Sequence, residues 1–191
     1  VLIARAADMQ FEDFLAERIF LPLGMKDTAF SVPEAKHKRL AACYETDHTN
    51  SGLVPRDEGR FAVFPGGSTG LFSTVDDYLA FGRMMLNGGR HGADRILARP
   101  TVEVMTTDQL TTAQKAASPF FPGFWDNRGW GFGVSMITRR DGIAAVPGRY
   151  GWDGGFGTSW CSDPHEDLVA ILMIQRLYDS IVANLNADFL T

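Results

Sequence analysis

The chain has 191 residues, 45% of them hydrophobic and 21% charged, with a formal net charge of −5. That makeup excludes a disordered polypeptide and offers no basic footprint for nucleic acid, since its densest basic cluster, Lys36-His37-Lys38-Arg39, is short. No apolar run approaches the roughly 20 residues that span a bilayer, and Cys43 and Cys161 lie far apart without CxxC or histidine spacing, so two buried free thiols are expected and no metal site.

The first residues, VLIARAAD, lack Met and have the spacing of the middle or end of an amphipathic helix with no cap before it, so the chain is expected to be cut from something longer. In FEDFLAERIF, Phe11, Phe14, Leu15 and Ile19 recur on one helical face, which predicts a helix over 11–20 closed by Pro22 and Gly24. PEAKHKRL fits one helical turn or two, and LAACYE fits a strand. Residues 46–67 carry Pro, Gly, Asp and Asn at loop density and predict a long irregular connection of the kind that often lines sites.

A second helix is predicted after Ser73 or Thr74 as cap, with Asp76 and Asp77 in its first turn and Gly88 and Gly89 at its end. Neighbouring carboxylates on a helix point apart, so capping accounts for the Asp pair. RPTVEVMTTDQL predicts a short helix, and residues 111–128, with Pro119, Pro122 and several aromatics, an irregular stretch. From Gly129 strands follow: GWGFGVSMITRR, RYGWDGGFGTSWCSD, and DLVAILMIQR after a tight PHE turn. LVAILMI is apolar on both faces, which predicts a central strand covered on both sides. YDSIVANLNADFL predicts a terminal helix.

GGSTG at 66–70 matches GxSxG, the nucleophile-elbow pattern in which a buried strand runs straight into a serine and a helix starts straight after it. Here Pro65 and two glycines precede Ser68, the capped helix starts only near Thr74, and the strands come late and without alternating helices. Ser68 is therefore read as part of a glycine-rich loop feeding a helix. His91 and His165 lie in Gly- or Pro-rich turns and read as solvated loop residues, and Trp125, Trp130 and Phe132 as packing in or beside a cleft.

LPLGMKDTAFSVP, GGSTGLFSTVDDYLAFGRMMLNGG, GWGFGV and YGWDGGFGTSWCSDPHEDLVAILMIQR, in that order, closely resemble the C-terminal half of the serine β-lactamase-related family, which holds class C β-lactamases, penicillin-binding DD-peptidases and family VIII esterases. The resemblance covers nearly the whole chain. It implies acyl transfer through a covalent serine intermediate, with an SxxK serine as nucleophile, a YxN or YxS tyrosine, and a third motif, KTG or a variant, on a strand edge. The first two motifs belong to the preceding half of the family sequence. Thr112 with Lys115 imitates SxxK, and Tyr178-Asp179-Ser180 imitates YxS on the wrong side of the third motif; both read as chance.

The resemblance places Trp152, Asp153 and Gly154 at the KTG positions as substrate-binding residues and gives Gly155 a backbone N–H in the oxyanion hole. A glycine-rich edge strand lets substrate approach closely, and an N–H aimed at a developing oxyanion stabilises the transition state; the residues alone, without the resemblance, fit a glycine bulge in an ordinary edge strand better. Trp152 puts an aromatic ring where KTG carries a cation, a departure shared with the esterase branch. Only one of Trp152 and Asp153 can point directly into a cleft, and Arg149 is a nearby cation that could replace the missing charge.

The expected fold is α+β, β-lactamase/transpeptidase-like, with residues 1–128 forming helical and loop regions and 129–191 antiparallel strands and a C-terminal helix. The expected function is the C-terminal part of a serine hydrolase acting on small-molecule esters or amides, esterase-like and inactive without its N-terminal half. No metal, organic cofactor, nucleic acid or membrane segment is implied, and the compartment, bacterial periplasm or cytoplasm, is not readable. The alternatives are a non-catalytic binding module of the same fold and an α/β-hydrolase built on Ser68.

Overall fold

The computed structural model describes residues 1–47, 49, 52–56, 65–118, 120–174, 176–177 and 189–190. They fall into two compact units. One is built on Val1–Phe81 with Gly155–Thr158 and the chain from Met173, the other on Gly82–Gly154 and Ser159–Leu172.

In the first unit, α1 (Leu2–Ala7) stops at Asp8, whose φ of 51° is left-handed. α2 (Phe11–Leu15) runs without a break through a π turn (Ala16–Phe20) into α3 (Leu21–Leu23). The helix thus continues past the predicted end at residue 20. Pro22 has no N–H and its ring crowds the preceding turn, and the wider π turn makes room for it. Gly24, at φ 70°, ends the helix. Phe20 and Leu23 are buried, and the ring of Phe11 lies 6.0 Å from that of Phe30. Ala29 and Phe72 then exchange backbone hydrogen bonds as an antiparallel bridge.

PEAKHKRL forms a single 3₁₀ segment, Glu34–Arg39. β1 (Cys43–Thr46) is the strand expected at LAACYE, and it pairs antiparallel with β2 (Leu53–Arg56) inside the stretch expected to be irregular. Pro55 is tolerated because β2 has no partner on its outer edge among the described residues, so no ladder hydrogen bond is lost.

α4 (Val75–Leu86) starts as predicted: the Thr74 hydroxyl oxygen accepts a hydrogen bond from the Asp77 N–H at 3.3 Å. It ends on Gly88 and Gly89, with φ of 59° and 86°. At Gly82, where the second unit begins, an added Cβ would lie 2.8 Å from the Val169 side chain and 2.9 Å from the Trp160 indole, so the Gly82–Leu86 end of the helix packs directly on those two residues of the same unit. Met84 and Met85 are fully buried there.

After the short ribbon of β3 (Arg90–His91) and β4 (Asp94–Arg95) come α5 (Arg99–Met105) and α6 (Thr112–Ala117). α6, together with a 3₁₀ turn at Phe124–Asp126, replaces the irregular stretch expected at 111–128. Five antiparallel strands follow, paired in chain order: β5 (Arg128–Trp130), β6 (Ser135–Ile137), β7 (Tyr150–Asp153), β8 (Ser159–Asp163) and β9 (Leu168–Leu172). GWGFGVSMI is thus a hairpin turning at Gly131–Gly133.

Among the described residues LVAILMI lies at the edge of the sheet and not at its centre. In β9 Leu168 is exposed and Val169–Leu172 are half-buried. Its composition reports a demand for cover, and the α4 helix at Gly82 meets that demand on one face. The predicted terminal helix lies outside the described residues apart from Phe189 and Leu190, which are helical.

Candidate active-site wall

Trp152 and Asp153 close β7, and Gly154 and Gly155 open the turn into β8. Trp152 is half-buried, Asp153 exposed, Gly154 half-buried and Gly155 exposed. A Cβ at Gly155 would meet nothing within 4 Å, and its φ is not left-handed. The side chains of successive strand residues separate as expected. The Trp152 ring packs edge-on against Trp130 at 4.6 Å and 82°, Phe120 at 5.9 Å and Phe124 at 6.3 Å. Asp153 turns the other way and accepts a 2.6 Å hydrogen bond from the hydroxyl of Ser159, its cross-strand partner. Its charge is thereby used within the hairpin.

Arg149 does not replace the missing cation. Its side chain is largely covered, Nε lies 3.3 Å from the fully buried Asp163 carboxylate, and Nη1 donates to the Ala144 carbonyl at 2.8 Å. Asp163 also accepts from the backbone N–H groups of His165 and Glu166, so the pair fastens the start of β7 to the β8–β9 turn. Breaking such a pair costs far more than its net contribution, and neither partner is available to a ligand.

The SxxK imitation is likewise structural. Lys115 Nζ lies 2.5 Å from Asp108 and donates to the Arg128 carbonyl, while Asp108 accepts from the N–H groups of Trp130 and Leu110. Burial alone would raise the Asp108 pKa, but the hydrogen bonds from Lys115 and the two amides outweigh it and hold the carboxyl below its ordinary value. Lys115 is thus a paired cation, remote in role from a general base.

Ser68 lies exposed in a series of bends, α4 begins only at Val75, and among the described residues the Ser68 hydroxyl makes no hydrogen bond. The elbow geometry is not formed; residues 57–64, where its strand would run, lie outside the described residues, as does Tyr178-Asp179-Ser180. His165 is exposed in the turn before β9, whereas His91, expected in a turn, is half-buried and closes β3. Cys161 is a buried free thiol whose pKa burial pushes up, with Arg149 acting in the opposite direction, and Cys43 is half-buried and free. Burial likewise raises the Tyr150 pKa, opposed by the Ser162 hydroxyl. Among the described residues no three His, Cys, Asp or Glu converge to hold a metal, and no helix is long and apolar enough to cross a membrane.

Two groups escaped the sequence reading. Phe120 and Phe124 join Trp130 around Trp152, although only a generic aromatic run marks them in the sequence. Asp77, read as a helix-start charge alone, is buried and accepts from the Asp27 N–H at 2.7 Å and the Thr28 hydroxyl at 2.8 Å. The KDT string beside the helix start was its available signal.

The beta-lactamase family model matches residues 1–189. Protein Rv1367c of Mycobacterium tuberculosis is 34% identical over 189 residues, a match covering 94% of this chain and 47% of that protein, so the chain spans about half the length of the curated relatives it matches. Among solved structures, simvastatin synthase (LovD) from Aspergillus terreus aligns over 99% of this chain and 51% of its own, with a TM-score of 0.80 at 21% identity. EstCE1, a hydrolase with promiscuous acyltransferase activity, aligns over 99% and 52% with a TM-score of 0.76 at 18% identity. Two structural likenesses at these identities fix the α+β, β-lactamase/transpeptidase-like fold, and the family match over nearly every residue completes the assignment: the chain belongs to the beta-lactamase family and corresponds to its C-terminal part.

Proposed function

We propose that this chain supplies the substrate-facing wall and one oxyanion-hole donor of a serine hydrolase that cleaves small neutral esters in preference to β-lactams. Trp152 and Gly154 line the substrate, and the Gly155 N–H donates to the developing oxyanion. Asp153 braces the hairpin from behind. The nucleophile and its proton-transfer partners would come from an SxxK and YxN half of the same fold, outside these 191 residues. Residues 1–128 would serve as the helical and loop wall, and 129–191 as the strand frame.

The observation that carries the ester preference is the seat of Trp152, with three aromatic rings around it; Lys115 is paired with Asp108, Arg149 with Asp163, and Arg128 lies over the Phe124 ring at 5.5 Å. Penicillins and cephalosporins carry a carboxylate beside the scissile ring, and a cation would bind it through charge-assisted hydrogen bonds. A ring offers no such bond.

The test is kcat/KM for a short-chain p-nitrophenyl ester and for nitrocefin, on the full-length protein and its Trp152→Lys variant. The ester is expected to be favoured by roughly 30-fold or more, and Trp152→Lys to narrow that ratio by about tenfold, the size of one charge-assisted hydrogen bond. Equal rates on both substrates in the unaltered protein, or a ratio unmoved by Trp152→Lys, contradict the proposal.

A further inference from the structure

Resting on that reading of Trp152, we infer that Phe120 is a specificity residue that selects esters with an aromatic acyl group. Phe120 is 61% exposed, and it is not isolated on the surface but belongs to a cluster of rings. Its ring stands 5.9 Å from Trp152 at 69° and 5.2 Å from the buried Phe124 at 49°. Trp130 holds Trp152 edge-on from another side at 4.6 Å, so the half-buried indole cannot swing away without losing a close ring contact.

The outcome is a π-rich surface with one rigid ring, Trp152, and one accessible ring, Phe120, at angles suited to edge-to-face packing. A third ring entering beside them gains stacking contacts beyond its buried area, a gain of roughly two- to tenfold in affinity. A straight alkyl group gains only the area. Lys115 and Arg149 are paired with carboxylates and Arg128 lies over the Phe124 ring, so the surface that Phe120 and Trp152 present is built from rings and suits a neutral ring. Phe120 stands at the mouth of a chain segment fastened at both ends, by Trp125 Nε1 donating to the Ser118 carbonyl and by the Phe124 ring under Arg128.

The test compares kcat/KM for p-nitrophenyl phenylacetate and p-nitrophenyl acetate on the full-length protein and on Phe120→Ala and Phe120→Trp. The phenylacetate-to-acetate ratio is expected to fall about tenfold in Phe120→Ala and to survive in Phe120→Trp. Ester hydrolysis with a ratio indifferent to Phe120→Ala overturns the inference while leaving the proposed hydrolase intact. If no ester is hydrolysed at all, the hydrolase proposal fails by itself, and binding of the inert ketones benzylacetone and 2-butanone, followed by calorimetry, decides about Phe120. A preference for benzylacetone that Phe120→Ala removes then supports the aromatic site, and no preference, or one that persists in the variant, overturns it.

Discussion

Trp130 stands between two glycines because another chain segment lies on them. A Cβ at Gly131 would fall 1.9 Å from the Met105 carbonyl oxygen and one at Gly129 2.5 Å from the Asp108 side chain. The segment after α5 runs along β5 there, with Gln109 N–H donating to the Trp130 carbonyl and Phe132 N–H to that of Met105. Gly131→Ala is therefore expected to destabilise the protein by about 1–3 kcal/mol, as overpacking against backbone does. An unchanged midpoint in thermal unfolding would show that the crossing can yield. Gly155 is the opposite case, open and without positive φ. Gly155→Ala should keep kcat within a few-fold, whereas Gly155→Pro deletes the proposed donor and should cost about 10²–10³ in kcat with little change in KM. Equal kcat in the two variants would remove Gly155 from the oxyanion hole. Sequence pattern could suggest both glycine clusters as close-approach sites, but only coordinates tell that one meets chain and the other open space.

Among the elements, α6 shows where local signals were present and overlooked. Thr111 and Gln114 form a reciprocal capping box, the T-x-x-Q pattern that announces a helix start, yet the nearby prolines and aromatics dominated the reading of 111–128. The helix is held by the Lys115–Asp108 pair, with side chains 18% and 25% exposed. No spacing rule links residues 108 and 115 to the edge of β5. Because the folded carboxyl titrates below its ordinary value of 3.8, its contribution to stability is complete at neutral pH, where both states are ionised. It declines as pH falls below about 4 and is gone once the folded carboxyl is protonated. Asp108→Asn should accordingly lower the unfolding midpoint at pH 7 and lose that deficit as pH falls from the ordinary carboxylate value through the lowered pKa of the folded carboxyl. A deficit of constant size over this range would assign the effect to packing. The β7–β8 hairpin has a smaller fastening of the same kind in Asp153 and Ser159; strand alternation says that Trp152 and Asp153 face opposite ways but not which of them meets Ser159.

For the molecule as a whole, the family and the α+β class were legible because glycine, proline and aromatic strings recur in a fixed order along nearly the entire chain. What composition could not supply was the pairing partner of each strand. LVAILMI reads as central, yet β9 has a single partner, β8, among the described residues. An uncharged edge strand with half-buried side chains is a template for association. Residues 1–191 produced alone are thus expected to self-associate, with Ala170→Lys on β9 reducing the associated fraction in sedimentation. A monomer whose behaviour the substitution leaves unchanged would mean that β9 is not an available edge.

The claim on which the account depends most is that this chain contributes the wall of a hydrolase site and its nucleophile lies elsewhere in the protein. A fluorophosphonate probe on the full-length protein, mapped by mass spectrometry, tests it directly, because an unactivated serine hydroxyl is a weak nucleophile at neutral pH and only the activated one is labelled stoichiometrically. The account predicts one labelled serine, outside residues 1–191, and none of the serines within them modified. Stoichiometric label on Ser68, or on any other serine of this chain, would contradict it.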